Sequence, residues 1–287
     1  MTVSLDMQVR MIAEWPEQFV RALPAWGDER VSQDDDMLST ASLQRRGLLG
    51  DDGAVTPFGR SVRYHLDEYR WQKGQKRFEG LISLGDVGPT VRALDVGCGA
   101  GQTLRLLEPD RPVELVGVDV DRAALALGAR LAAVEGVNLL LTNVSATRLP
   151  FSDAAFDLVL TRVALNYMPQ RRALTEMSRV LRPGGVLFCL VERIWYDLFI
   201  IRASRTPRSA AGRVFDLGWG TVHMLTGWQP APVRRFLGSR AFASAYRLRR
   251  TLAEVGCDVK YCAERPTGPT LLGHRTQLLV IARKRAS

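Results

Sequence analysis

Residues 93–104, Ala-Leu-Asp-Val-Gly-Cys-Gly-Ala-Gly-Gln-Thr-Leu, decide the fold of this chain. The apolar run that ends at Val96 predicts a buried strand, which breaks into a glycine-rich turn. Gly97, Gly99 and Gly101 stand at alternate positions, where they let the backbone turn tightly and approach a ligand without an intervening Cβ. The stretch therefore predicts a ligand-binding turn between a strand and a helix.

Asp95, at the end of that strand, argues against a phosphate ligand. A dinucleotide-binding turn directs helix N–H groups at a phosphate, and a carboxylate there would repel it. The spacing also departs from the G-x-G-x-x-G fingerprint, because the third glycine comes one position early. Asp95 suits a ligand with a positively charged end.

From residue 91 onward, the sequence alternates apolar strands with helical segments. This alternation predicts an α/β fold with a mostly parallel sheet that is covered by helices on both faces. Late apolar runs within Leu271–Arg283 predict one or two further strands. The predicted strands are 91–96, 113–118, 138–141, 156–160 and 186–191, and the predicted helices are 102–108, 123–134 and 171–181.

Residues 1–80 lack the alternating strand and helix pattern, and they predict an N-terminal helical cap. A helical period over Met7–Arg21 is interrupted by Pro16, which removes a hydrogen-bond donor. Thr56 is expected to be the N-cap of a helix that opens with Pro57 and runs to about Trp71. Helix, turn, small hairpin and helix resemble a fragment of a winged-helix module. We interpret the segment as a cap or dimerisation element, because it shows no clear recognition helix.

The remaining residues, 81–287, are predicted to form the main domain. Within it, residues 195–245 lack a clean period and are rich in Arg, Trp, Gly and Pro. Because α/β sheets bind ligands at the carboxyl ends of their strands, we interpret this stretch as a lid insertion over that edge.

The bulk composition is that of an ordinary globular protein of 287 residues, with 46% hydrophobic and 24% charged residues. The first twenty residues do not resemble a signal peptide, and no apolar run reaches membrane-spanning length, which predicts a cytoplasmic protein. The four cysteines show no metal-binding spacing, so free thiols and no metal are expected. The net charge of +9 allows a nucleic-acid partner, but the arginines are spread over several segments, which favours a solvated basic surface.

Polar residues follow the predicted strands where a nucleoside would bind. Asp119 ends the second strand about 20 residues after the glycine turn, where a carboxylate accepts both hydroxyls of a ribose. The loop Asn143–Ala146 follows the third strand and is placed to reach a base. Thr161 and Arg162 end the fourth strand.

The ordered motifs resemble those of the class I S-adenosylmethionine-dependent methyltransferases. The family order LDVGCGxG, GVD, LPF, FDLV and LRPGG stands here at Leu94–Gly101, Gly117–Asp119, Leu149–Phe151, Phe156–Val159 and Leu181–Gly185. This resemblance covers roughly residues 90–192. It implies a Rossmann-like fold with a seven-stranded sheet and S-adenosyl-L-methionine as cofactor.

The resemblance also implies roles for individual residues. The glycine turn would pack against the methionine part of the cofactor, Asp95 would lie near its amino group, and Asp119 would hold the ribose. The family usually has Asp where this chain has Ser145, so adenine is expected to contact the backbone of 144–146 and the side chains of Val120 and Leu149. Asn143 is the alternative contact if the loop is shifted. The predicted cofactor contacts are Asp95, Gly97, Cys98, Gly99, Gly101, Asp119, Val120, Val144, Ser145 and Arg162.

For the molecule that accepts the methyl group, the sequence offers candidate catalytic residues but no recognisable motif. A general base is needed only if the acceptor must lose a proton, and His223 in the predicted lid is the first candidate. Tyr167, together with Asn166, follows the fourth strand and is the second. His65 and His274 are interpreted as structural. The sequence lacks the Asn/Asp-Pro-Pro-aromatic motif of nucleobase amine methylation, and Cys189 lies inside a strand, which argues against pyrimidine C5 chemistry.

The sequence thus predicts O-, N- or C-methylation of a small molecule in biosynthesis, by a monomer or homodimer. Two alternatives stay open. One is an RNA or protein methyltransferase, which the basic charge favours. The other is a regulatory protein that binds the cofactor without catalysis.

Overall fold

The computed structural model describes residues 4–26, 36–74, 91–107, 113–203, 207–226, 241–265 and 270–286. The predicted domain boundary between residues 80 and 81 lies outside these residues, as does part of the predicted lid. Both assignments stay predictions.

One seven-stranded sheet carries the fold. Its strand order is β3-β2-β1-β4-β5-β9-β6. The β2–β3, β1–β4 and β4–β5 pairs are parallel, whereas β9 runs antiparallel to both β5 and β6. The mostly parallel sheet predicted from the alternating pattern is confirmed. The strands are β1 Val91–Val96, β2 Val113–Asp119, β3 Leu139–Asn143, β4 Phe156–Arg162, β5 Leu181–Glu192, β6 Cys257–Glu264, β7 Thr270–Leu271, β8 His274–Arg275 and β9 Gln277–Lys284.

The described helices include four that precede β1 in the chain. Pro16 separates the first two helices, as predicted. The predicted lid contains two helices, although its sequence shows no clean helical period. The helices are α1 Leu5–Ala13, α2 Glu17–Ala22, α3 Thr40–Arg45, α4 Pro57–Gly74, α5 Arg122–Glu135, α6 Gln170–Val180, α7 Ile194–Ala203, α8 Pro207–Thr226 and α9 Ala245–Glu254.

The helix predicted over 102–108 is wrong for the residues described there. Only Leu104–Leu106 form a short 3₁₀ turn, and Leu107 is already extended. One hydrogen bond of the α-helical i→i−4 type joins Arg105 N to Gly101 O. The next two, from the Leu106 and Leu107 amides, are of the tighter i→i−3 type. Because all but one of the side chains from Gly101 to Leu107 are buried, the segment has no solvent-facing stripe to sustain a surface helix.

The chain divides into two compact units. The first comprises 1–86 and 98–143. Its described core joins the N-terminal helices to α5 through aromatic and aliphatic side chains, with Trp15 meeting Phe19 edge-on at 5.3 Å. The buried members are Ile12, Trp15, Phe19, Val20, Leu23, Trp26, Leu43, Leu48, Phe58, Val62, Leu66, Ala100, Ala123, Leu127 and Leu131.

Local signals in the sequence explain how this unit begins its helices. Thr56 Oγ1 accepts a hydrogen bond from Gly59 N at 2.9 Å, which confirms the predicted N-cap of α4. The turn before it brings Leu49 opposite Val55 in a short antiparallel bridge. The chain here forms a helix, a short hairpin and a helix, and their interpretation as a winged-helix-like fragment stays a prediction.

The second unit comprises 87–97 and 144–287. Its core lies on β4, β5 and β9, whose central residues are almost all buried. Phe156, Phe188 and Phe242 are among its largest fully buried side chains. Pairs such as Leu187 with Ala282 bring β5 and β9 into register.

Candidate functional site

The glycine turn depends on backbone conformations that only glycine adopts without strain. Gly97, Gly99 and Gly101 have φ angles of +79°, +56° and +67°. A side chain at any of these positions would be strained by contact between its Cβ and the backbone. The three alternate glycines are therefore required by the path of the chain.

Asp119 fixes this turn from the end of β2, within the first unit. Its Oδ2 accepts a hydrogen bond from Gly99 N at 2.8 Å, and its Oδ1 accepts one from Asp121 N at 2.9 Å. The Asp119 carbonyl accepts a further bond from Asn143 Nδ2 at 2.9 Å. Each carboxylate oxygen has two lone pairs, so each keeps acceptor capacity beyond its one amide. The carboxylate is held rigidly and still accepts hydroxyl donors.

Val120 and Asp121, which follow Asp119, have different structural roles. Asp121 caps α5, because its Oδ1 accepts bonds from Ala123 N at 3.0 Å and Ala124 N at 3.1 Å. Val120, between the two carboxylates, is 68% exposed. It presents an apolar surface beside Asp119, which suits the adenine packing predicted for it.

Helix α4 places His65 against the glycine turn, a contact that the sequence did not predict. The ring Nδ1 lies 3.0 Å from Gln102 Nε2, and both side chains are buried. A Cβ built on Gly99 would lie 3.0 Å from His65 Cε1. The contact joins residues 37 positions apart, so no local pattern indicates it.

Cys98, the remaining side chain of the turn, is buried against β2. Its amide donates to Val118 O at 3.1 Å, and a Cβ on Gly117 would lie 2.8 Å from its Sγ. The glycine of the GVD motif is explained by this close approach. Within this unit, Cys98 serves the packing of the turn.

In the second unit, the carboxyl end of β1 carries Asp95 and Gly97. Asp95 is 2% exposed, which is unusual for an aspartate. A Cβ on Gly97 would come within 2.3 Å of the Ala164 Cβ and 2.7 Å of Met168 Cε. The chain after β4 therefore packs directly against the first glycine.

The loop after β3 holds Val144 and Ser145. The Ser145 hydroxyl lies 2.9 Å from Thr147 Oγ1 and also accepts a weak bond from Thr147 N at 3.4 Å. Ser145 is exposed, and its hydroxyl is engaged within its own turn. Val144 is half-buried beside it.

Arg179 on α6 holds the backbone of the LPF motif. Its guanidinium donates to the carbonyls of Leu149 and Phe151 at 2.9 and 2.8 Å, and to Glu176 Oε1 at 2.8 Å. Glu176 in turn accepts a bond from Leu149 N at 2.8 Å. Hydrogen bonding to Arg179 lowers the pKa of the Glu176 carboxyl below its usual range. The ion pair thus clamps the loop that leads into β4.

Val163, directly after β4, has a φ of +64°. Such a conformation is a genuine outlier for a β-branched residue and costs about 1–3 kcal/mol. Its amide donates to Leu190 O at 2.7 Å, which helps to hold it there. Strain is stored at the point where the chain leaves the sheet beside half-buried Arg162.

A buried set of hydrogen bonds follows, which we call the amide cluster: Asn166, Gln170, Glu192, His223 and Ala241. Asn166 Nδ2 donates to the carbonyls of Glu192 and Ala241 at 2.9 and 3.1 Å, and its Oδ1 accepts from Glu192 N at 2.9 Å. Gln170 Nε2 donates to Ala241 O at 2.9 Å. The cluster ties the segment that follows α8 to the end of β4.

The two predicted catalytic residues lie in different surroundings. His223, on α8, is buried, and its Nε2 lies 3.4 Å from Gln170 Oε1. Tyr167 is 50% exposed. Only His223 therefore joins the amide cluster, and a catalytic role for either residue stays a prediction.

The other histidine and the cysteines behave as packing groups. His274 stacks on Trp195, with ring centroids 4.0 Å apart and planes 8° apart. All four cysteines are free, and burial raises the pKa of the Cys189 thiol to about 12. A thiol with that pKa is a poor nucleophile.

Two features are absent from the described residues. No group of three or more His, Cys, Asp or Glu side chains is arranged to bind a metal ion in that part of the chain. No described helix is long and apolar enough to cross a bilayer.

Comparison with known proteins places residues 94–189 in a family described as a methyltransferase domain. An uncharacterized methyltransferase, YcgJ of Bacillus subtilis, is 31% identical over 139 residues, 48% of this chain and 54% of that protein. The demethylmenaquinone methyltransferase of Shouchella clausii is 38% identical over 109 residues, 37% of this chain and 46% of that protein. The chain thus spans about half the length of these relatives.

Among solved structures, the [4+2]-cyclase SpnF has the same fold. The TM-score is 0.54 with 20% identity, over 79% of this chain and 93% of SpnF. The methyltransferase-domain match over residues 94–189 agrees with the resemblance to class I S-adenosylmethionine-dependent methyltransferases that the motifs indicate. The cofactor of that class is S-adenosyl-L-methionine.

Proposed function

We propose that this protein transfers a methyl group from S-adenosylmethionine to a small-molecule acceptor. The observation that carries the proposal is the Asp119 carboxylate, held by two main-chain amides beside the glycine turn. A fixed carboxylate with acceptor capacity to spare is suited to the two hydroxyls of a ribose. The family of residues 94–189 supports the same cofactor.

The residues of the turn and its surroundings support the proposed cofactor site. Gly99 is half-buried and has no side chain of its own, and Val120 offers an exposed apolar surface for a base. Asp95 and Gly97 from β1, with Val144, Ser145 and Arg162, are proposed as further cofactor contacts. When bound, the cofactor would supply a methyl group on a positively charged sulfur: the acceptor atom would bond to the methyl carbon as the carbon–sulfur bond breaks, with S-adenosylhomocysteine as the leaving group.

The protein's own contribution to this displacement is orientation and proton removal. Aligning the acceptor with the methyl group supplies much of the rate enhancement in such reactions. An acceptor hydroxyl or amine also loses a proton, and His223 or Tyr167 is proposed to take it. His223 suits this task if the acceptor reaches the amide cluster, because an imidazole titrates near neutral pH.

A small-molecule acceptor is favoured by what the second unit encloses. Ala241, Phe242 and Ala243 are buried, and the amide cluster holds the chain at Ala241 against the segment after β4. We infer that the acceptor binds beside this buried segment, where a small ligand fits better than a polymer. The Shouchella clausii relative is named for a small molecule, demethylmenaquinone.

The second candidate function is binding of S-adenosylmethionine without methyl transfer, and the structure of SpnF suggests it. That protein is named as a [4+2]-cyclase and shares the fold, so the fold alone does not establish methyl transfer. A chain that binds S-adenosylmethionine and never consumes it would support the second candidate. Incubation with the methyl donor and a panel of quinones, phenols and amines, followed by mass spectrometry, separates the two.

Replacement of Asp119 tests the cofactor site directly. We expect Asp119→Ala to weaken binding of S-adenosylhomocysteine by about tenfold or more, because it removes the ribose acceptor and both bonds that fix the turn. Isothermal titration calorimetry measures the change. Asp121→Ser is the matched control, since it removes the neighbouring carboxylate and keeps a good N-cap for α5. Unchanged affinity in Asp119→Ala would contradict the proposed site.

A further inference from the structure

The N-terminal helix α4 contacts the glycine turn through one face. His65 meets Gln102 and Gly99, and two helical turns later Gln72 accepts a bond from Thr103 Oγ1 at 3.3 Å. All of these side chains are buried. A spacing of seven residues places His65 and Gln72 on the same side of a helix. The N-terminal segment is therefore built into the turn.

The His65–Gln102 contact fixes the proton on the imidazole. An amide nitrogen only donates, so Gln102 Nε2 donates to Nδ1, and the ring proton sits on Nε2. This arrangement turns Gln102 Oε1 toward Gly99, where a built Cβ would lie 3.1 Å from it. Among the described residues Oε1 is buried without a hydrogen-bond partner. A buried acceptor without a partner is costly, and a ligand donor at the turn removes the cost.

The charged groups around His65 act in opposite senses. Asp119 and Asp121 face it from the turn side, Glu68 lies on its own helix, and the Tyr64 ring meets it edge-on at 5.2 Å. Burial outweighs the three carboxylates and lowers the pKa of the imidazole. At neutral pH the ring is accordingly uncharged, as its contact with Gln102 requires.

We propose that neutral His65 is a positioning residue for the cofactor, which orients Gln102 so that its Oε1 accepts a hydrogen bond from the ligand at Gly99. Protonation of Nδ1 turns this acceptor into a donor, so two donors face one another. The Gln102 amide then rotates to present Oε1 to the ring, and the ligand loses that acceptor. Cofactor binding is therefore lost in acid through a residue outside the methyltransferase motifs. The inference rests on the proposed function.

The test is calorimetric titration with S-adenosylhomocysteine between pH 5.5 and pH 8. In the unsubstituted protein we expect affinity to fall toward pH 5.5, by less than about tenfold at that pH, because burial holds the pKa of His65 below its ordinary value. The sign follows from linkage, because a complex that requires neutral His65 releases the proton that the free protein carries in acid. His65→Asn is the matched variant, since Oδ1 replaces Nδ1 as the acceptor and does not titrate. It should bind within threefold of the unsubstituted protein at pH 8, with no loss toward pH 5.5.

His65→Ala removes both contact and acceptor, so we expect affinity about tenfold lower at pH 8. The unfolding temperature without ligand shows whether each variant is folded, and His65→Asn carries the test if His65→Ala is not. A pH dependence that persists in His65→Asn, or a folded His65→Ala that binds like the unsubstituted protein, overturns the inference alone. Failure of the unsubstituted protein to bind at any pH overturns the proposed function with it.

Discussion

The glycine turn and the amide cluster are held by different kinds of contact. At the turn, Asp119 accepts from the amides of Asp121 and Gly99, two and 20 positions away, and both Asp119 and Gly99 are motif residues. In the amide cluster, side chains of Asn166 and Gln170 bond to backbone and side-chain groups 26 to 75 positions away. The turn is set by short-range backbone geometry, whereas the cluster depends on long-range side-chain contacts.

This difference teaches why the methyl donor is easier to predict than the acceptor. A turn with three positive φ angles and one fixed carboxylate admits few sequences, so its motif is recognisable. A buried side-chain amide that donates to backbone carbonyls admits many sequences around it, because a residue of any type has a backbone carbonyl. The acceptor side can therefore change its sequence without changing its construction.

The largest effect on stability is expected from Gly97→Ala, which disrupts the glycine turn. Its Cβ would lie 2.3 Å from the Ala164 Cβ at a φ of +79°, so overlap adds to backbone strain. We expect a loss of about 3 kcal/mol in the free energy of unfolding. Urea unfolding followed by circular dichroism measures it.

Gly136→Ala is the matched control for that experiment. Gly136 has a similar φ of +71° and nothing within 4 Å of a built Cβ, so only the strain of about 1 kcal/mol remains. Equal losses in the two variants would show that close packing on Ala164 does not constrain the turn.

An intermediate effect is expected when Asn166→Ala opens the amide cluster. The change leaves the buried Glu192 N–H and C=O without their side-chain partner, whereas Ala241 O keeps its bond from Gln170, and we expect a cost of about 2 kcal/mol. Methyl transfer should fall, while affinity for S-adenosylhomocysteine stays within twofold. Rate and binding measurements on the same preparation check both parts.

Asn143→Ala is the counterpart on the turn side, because Asn143 also donates to a backbone carbonyl at 2.9 Å but is exposed. We expect it to cost under about 0.5 kcal/mol of stability, as exposed substitutions usually do, and to weaken cofactor affinity about twofold. If Asn166→Ala were the variant with the weaker cofactor affinity, the division between the two regions would be wrong.

The smallest effect is expected from Ser145→Asp, which sharpens the cofactor side. A carboxylate that reaches adenine would form a charge-assisted hydrogen bond and tighten S-adenosylhomocysteine binding about threefold. Ser145→Ala should change affinity by less than twofold, since the hydroxyl is engaged with Thr147. Weaker binding in Ser145→Asp would show that this loop does not face the base.

The sequence predicted the framework well where local signals were sufficient. The Thr56 cap, the break at Pro16 and the five parallel strands followed from capping, backbone and periodicity rules. The ends of elements were less certain. Strand β5 starts at Leu181, before the predicted Val186, because Leu181 pairs with Phe156 across an irregular stretch of sheet.

Contacts between distant segments could not be predicted. His65 was interpreted as structural, because its position in a helical pattern reveals neither Gln102 nor Gly99 as a neighbour. The same holds for Ala241, whose carbonyl joins Asn166 and Gln170. Backbone groups carry no sequence signal, so the construction of the acceptor side emerges only from the fold.

The composition of the first unit has a consequence for synthesis on the ribosome. The apolar faces of α1 and α2 pack partly on Leu127 and Leu131 of α5, about 110 residues later in the chain. At roughly 5–20 residues per second, ~5–20 s pass before that partner is translated. During this interval Trp15 and Phe19 lack part of their native cover. The nascent chain thus offers a ligand for ribosome-associated chaperones that the finished protein conceals.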